Sequence, residues 1–127
     1  MYFTPAEYQY LRMLGHGRLS SIGRDGRTEV HPVAFVVDAE SSCLEFGRAR
    51  LWKSVKYRNI RRDPRVSITV EDNAVSIPGL VSFGSRGIEI RGIAETTGRS
   101  ADVIRIRPML VTSWNIDQPG RHIRFLD

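Results

Sequence analysis

The stretch SVKYRNIRRDPRVSITVED, residues 54–72, holds a helix, its stop and a strand. Ser54 is an N-cap residue ahead of a run too polar for a core strand, so a short helix begins there. Asp63–Pro64 ends it, because a residue before proline is pushed out of the helical region. From Arg65 to Asp72 the pattern changes to strict alternation, with Val66, Ile68 and Val70 on one side, the period of a half-buried strand.

Working upstream, TPAEYQYLRML (residues 4–14) carries a helix start. Thr4 caps, Pro5 suits the first helical position, and Glu7 lies three residues after Thr4 as a capping box requires. Gly15 and Gly17 end that helix. RLSSIG and TEVHPVAFVVD then read as two strands joined at Asp25–Gly26, a short-hairpin signal. CLEFGRA reads as a third strand. Downstream of residue 72, NAVSIPGLVSFGS is a long connection containing Pro78 and Gly79. RGIEIRGIAETT is a strand whose glycines suggest a bulge or a close backbone approach. GRSAD turns the chain into VIRIRPMLVTSWN, a last strand interrupted by Pro108 at a bulge or edge. IDQPGRHIRFLD reads as a tail.

About six antiparallel strands and two short helices make a mainly β chain, a small barrel. Such a barrel packs its interior with its own side chains, so a sizeable ligand lies outside it or between two copies. The 127 residues form one domain, 1–127, long enough to fold without disulfides or metal. A single cysteine, Cys43, fits a reducing cytoplasm. No apolar run approaches the ~20 residues of a membrane span, and the N-terminus lacks the pattern of a signal peptide.

The charge is unevenly placed. Residues 48–65 hold eight Lys and Arg against one acid, a local +7 in a chain of net +5. A helix N-terminus at Ser54, with Lys56 in its first turn and Arg48, Arg50 and Lys53 leading in, is suited to a phosphorylated small molecule. Arg58, Arg61, Arg62 and Arg65 read instead as a solvated helix face. Nucleic acid is disfavoured, because the basic stretch is short and carries no stacking platform beyond Trp52 and Tyr57. The glycines of GHGR follow a helix, the reverse of a dinucleotide fingerprint. His16, His31 and His122 are far apart and lack a metal-ligand spacing. No serine stands in a nucleophile elbow, and no side chain reads as a catalyst or metal ligand, so an enzyme built this way takes its chemistry from a bound cofactor.

In order along the chain, GRLSSIGRDGRTEVHPVAFVVD, SVKYRNIRRDPRVSITVED, RGIEIRGIAE and VIRIRPMLVTSWNID resemble the actinobacterial flavin/deazaflavin oxidoreductases. These belong to the pyridoxamine 5'-phosphate oxidase-like, FMN-binding split β-barrel superfamily, and the resemblance is greatest to the subgroup using coenzyme F-420. It implies a homodimer with cofactor sites at the subunit interface and a small-molecule hydride acceptor. The cofactor is then F-420, with FMN as the alternative. It places Ser54 and Lys56, with Arg50 and Lys53, at the cofactor phosphate. His31, Pro32 and Val33 fall along the ring, and Ser113 and Trp114 reach a site, that of their own subunit or of the other. His31 stays open between ring contact and barrel histidine, Trp114 between cofactor contact and dimer core, and Val33 between ring contact and one face of a strand. Two departures stand out: Thr28 where the family turn has proline, and Asn115 where a glycine follows the tryptophan.

Overall fold

A computed structural model describes residues 2–47, 50–73, 85–97, 102–116 and 118–126. Helix α1 (Pro5–Leu14) starts in the expected capping box: Thr4 Oγ1 accepts the Glu7 N–H, and the Glu7 carboxylate accepts the Thr4 N–H. Gly15, in the left-handed region, closes it. Strands β1 (His16–Ile22), β2 (Thr28–Ala34), β3 (Val36–Val37) and β4 (Leu44–Gly47) follow. A 3-10 turn at Leu51–Lys53 leads into α2 (Val55–Arg62), then come β5 (Arg65–Asp72), β6 (Arg86–Thr97), β7 (Val103–Trp114) and β8 (Arg121–Phe125). The expected connection through residues 74–84, the turn at 98–101 and Arg48 lie outside the described residues.

Three expectations are corrected. There are eight strands among the described residues, not six. The supposed tail contains β8, which pairs with β7 from Leu110↔Phe125 to Trp114↔Arg121. The run TEVHPVAFVVD is two strands, because the chain leaves β2 after Ala34 and enters β3 at Val36. The expected hairpin at Asp25–Gly26 is present, with residues 23–27 linking the pair Ile22↔Thr28.

The break at Phe35 decides the architecture. The strand order is β2-β1-β5-β6-β7-β4-β3, so β2 and β3 are opposite edges of one antiparallel sheet. A single residue connects those edges, so the sheet must curl until they adjoin, without a ladder between them. Phe35 N–H donates to Gly15 C=O at 3.0 Å and anchors this corner to the end of α1. The result is a split barrel.

Its interior is filled, as expected. Leu19, Leu44, Ile68, Ile88, Ile90, Ile104, Ile106 and Val111 have no exposed surface. Each such side chain contributes roughly 1.5–3 kcal/mol relative to exposure. The expected irregularity of β6 and β7 is a bulge between Arg91 and Gly92, where pairing jumps from Leu110 to Pro108 and Met109 is the extra residue. Gly92 is required there, since a Cβ would meet the Arg107 carbonyl. Helix α1 is tied to the β5–β6 end through Tyr10, whose hydroxyl donates to Asp72 Oδ1 at 3.0 Å. Burial, then Asp72, push that hydroxyl's pKa up.

Candidate functional site

Pro32, Val33 and Ala34 of β2, Phe46 and Gly47 of β4, Leu51 and Lys56 line a pocket of about 220 Å³. The ladder explains what β2 offers to it. Gly23 N–H bonds Arg27 C=O and Phe35 N–H bonds Gly15 C=O, so the odd-numbered residues of β2 point their backbone groups at β1. The even-numbered ones, Val30, Pro32 and Ala34, point theirs away from it. Proline sits at Pro32 without breaking a ladder bond, because its missing N–H falls on the open edge. Hydrogen-bonding backbone on either side of a silent proline gives this edge a specific donor pattern.

Lys56 comes to the same pocket from the first turn of α2, where the helix dipole disfavours a cation. Ser54 directly precedes that helix. Its Oγ accepts the Tyr57 N–H at 3.2 Å, so it is first an N-cap, with its hydroxyl proton left to donate. Ser54→Ala is expected to lower stability by about 1 kcal/mol, the usual value of a cap. Thermal denaturation checks this, and an unmoved midpoint would show that the cap is idle.

The other expected residues are distributed differently. Arg50 adopts φ 61 and donates its N–H to Asp102 Oδ1 at 3.2 Å, flanking the pocket without lining it. Lys53 is exposed and lies over the Trp52 ring, 5.2 Å from its centroid. His31 shares the inward face of β2 with Val33, opposite Leu19. It is not a satisfied barrel histidine, however. Its Nε2 is buried without a hydrogen-bond partner among the described residues, 3.8 Å from the Glu29 carboxylate.

Trp114 stands at the far end of β7 from Val103, which pairs with the pocket residue Gly47. Trp114 is thus separated from that end by the length of the 12-residue β7 and does not line the pocket. Its ring lies over Gly87, where a Cβ would collide with it, and its Nε1–H donates to Ser85 Oγ at 3.0 Å. Ser113, beside it, is buried. Asn115 adopts φ 55, a left-handed conformation asparagine tolerates, and so serves where a glycine is usual. Its side chain fixes the bend by donating to Ser85 C=O and accepting the Gly120 N–H, each at 2.8 Å.

A second pocket, of about 420 Å³, was not foreseen. Arg24, Glu29, Val55, Arg58, Asn59 and Arg62 line it. The solvated face holds in that Arg58, Arg61 and Arg62 are all exposed, but Arg58 and Arg62 also border this pocket, and Arg65 is engaged with Asp63. Hydrogen bonds from Arg65 hold the Asp63 carboxyl at about 2. Asn59, fully buried, donates to Ser21 Oγ at 3.1 Å and accepts from Arg62 Nη2 at 2.6 Å, which aims that guanidinium. Among the described residues no carboxylate pairs with Arg24, Arg58 or Arg62. The signal was present in part: 55, 58, 59 and 62 share one helix face. Arg24 arrives from the β1–β2 loop, which local pattern cannot place.

Among the described residues there is no group of three His, Cys, Asp or Glu suited to a metal ion, and no helix long and apolar enough to cross a membrane. No protein-family model matches the sequence. A 5a,11a-dehydrotetracycline/5a,11a-dehydrooxytetracycline reductase of Streptomyces rimosus is 33% identical over 136 residues, taking in 98% of this chain and 93% of the relative. A solved F420 reductase is 25% identical, with 80% of this chain and 94% of that one covered and a TM-score of 0.58. A Clostridium acetobutylicum protein of the pyridoxinephosphate oxidase family matches the fold at a TM-score of 0.70, covering 94% and 91% of the two chains at 6% identity.

The fold and these relationships define an oxidoreductase on a split β-barrel. The chain belongs to the family of the Streptomyces rimosus reductase, and its fold is the split barrel of the pyridoxamine 5'-phosphate oxidase-like proteins.

Proposed function

We propose that this oxidoreductase works as a homodimer in the cytoplasm, using reduced coenzyme F-420 to transfer a hydride to a conjugated organic acceptor. The observation that carries the reading is the pair of pockets beside α2. The smaller offers the open backbone edge of β2 for a ring and Lys56 for a phosphate. The larger offers three arginines to an acidic tail. F-420 has such a tail and FMN does not, so the arginine pocket favours the deazaflavin. The names of two relatives support the rest: one reduces a dehydrotetracycline and the other is an F420 reductase.

When bound, the reduced coenzyme supplies the hydride. The chain's contribution is to hold the ring edge, anchor the phosphate and exclude water. A second protomer would cover the outward side chains of β2, where Val30 is 56% exposed. In such a dimer the Trp114 of one protomer would approach the pocket of the other. An FMN-dependent oxidase or reductase is the second reading, favoured by the fold shared with the pyridoxinephosphate oxidase family.

The test is a fluorescence titration of the purified protein with F-420 and, separately, with FMN. Saturable binding of F-420 is expected. Arg24→Gln combined with Arg58→Gln should weaken it roughly tenfold, at about 0.5–1 kcal/mol for each exposed charge, and by less in high salt. Saturation by FMN alone would move the enzyme to the second reading. Binding of neither would overturn both. Sedimentation that finds only monomer would remove the dimer.

A further inference from the structure

We propose that the groove between α1 and β3 binds a planar aromatic anion, a phenolate or enolate, and that this is the acceptor class; the last step rests on the oxidoreductase reading of the adjoining pocket. Tyr8, Leu11, Arg12, Phe35, Val36 and Val37 line the groove, whose volume is about 390 Å³. That is within the range of roughly 300–1,000 Å³ typical of small-molecule sites. Leu11 and Phe35 are buried, so its floor is rigid core, while Val36 leaves an apolar wall in solvent. Flat rings and branched apolar side chains favour a flat, apolar body.

The charge makes the choice more specific. Arg12 is exposed, its guanidinium 5.6 Å from the centroid of the Tyr8 ring. Among the described residues no carboxylate pairs with it. A cation resting on an aromatic face at the groove's edge keeps most of its donors for an oxyanion that slides in beside the ring.

Position ties the groove to the reaction. Residues 32–34 line the candidate cofactor pocket, and residues 35–37 line this groove. Consecutive residues of one segment therefore serve both, and the hydrogen bond from Phe35 N–H to Gly15 C=O fixes α1 against them.

The test uses alizarin as its monoanion and uncharged anthraquinone as the charge control, followed by quenching of the protein's fluorescence. The full chain, Arg12→Gln and Lys56→Ala are compared, with circular dichroism confirming that each is folded. Alizarin should bind the unaltered chain saturably. Arg12→Gln should weaken it roughly tenfold or more, the value of a charged hydrogen bond, and leave anthraquinone unchanged. Lys56→Ala should leave both dyes unchanged. Equal alizarin affinity in Arg12→Gln, no binding of either dye, or loss of alizarin in Lys56→Ala would each overturn the proposal. So would a dimer that Val36→Asp dissociates while neither dye binds, since a second copy would then fill the groove. If F-420 fails to bind while the dyes behave as expected, the proposed function falls and the groove stands as a binding site.

Discussion

Replacing Glu7 with alanine is expected to lower the thermal midpoint by roughly 10 °C, from a loss of about 3 kcal/mol. The carboxylate is 2% exposed and serves two elements at once. In α1 it accepts the Thr4 N–H at 2.9 Å and completes the capping box. Across the fold it holds Arg124 of β8, whose Nη1 lies 3.1 Å from Glu7 Oε2. Removing it uncaps the helix and strands a guanidinium that is only partly exposed. Burial pushes the Glu7 carboxyl up, but hydrogen bonds from Arg124, the Thr4 N–H and Ser113, with the Arg124 charge, outweigh burial and hold it below 4.5. The folded value thus lies below the unfolded one, and in acid the unfolded chain binds the extra proton. Glu7's contribution is complete above about 4.5 and is lost as pH falls through the depressed folded value. Calorimetry of the wild type and Glu7→Gln checks the sign: below pH 4.5 the midpoint should fall more steeply in the wild type. Parallel curves would mean that the pair with Arg124 contributes nothing.

What was legible in the sequence is what local chemistry decides. Both helices start at the expected cap and stop at the expected breaker, because Thr4, Glu7, Ser54 and Pro64 act within a few residues of themselves. Strand β5 was legible because one face is fully buried, so alternation persists along its length. Strand β8 was not, because every residue of it but the half-buried Arg124 is exposed, Ile123 and Phe125 included. Its apolar residues face solvent, so hydropathy marks the wrong side. The division of β2 from β3 was hidden for another reason. The run TEVHPVAFVVD is continuous in propensity, and only closure of the sheet against Gly15 breaks it at Phe35. At the site, Pro32, Val33 and Lys56 were legible as a set, and the structure brings them together. The arginine pocket was half legible, since the face of α2 is in the sequence and the arrival of Arg24 is not.

Lys56→Ala is expected to weaken F-420 binding by about 1.5–3 kcal/mol, roughly 10- to 150-fold, the value of a charged hydrogen bond to phosphate. A lysine in the first turn of α2 stands where the dipole disfavours it by about 0.3–1 kcal/mol. Any ion pair it makes at a half-exposed position is worth at most about 1 kcal/mol. The thermal midpoint of the alanine variant should therefore move by no more than a few degrees while affinity falls, which separates a ligand role from a structural one. Lys56→Arg should keep most of the affinity, because charge rather than one geometry anchors a phosphate. Fluorescence titration at low salt measures all three proteins, and the gap between wild type and alanine should narrow as salt is added. Equal affinity in wild type and alanine would take the phosphate out of this pocket. A loss of affinity matched by a large drop in midpoint would make Lys56 part of the scaffold instead.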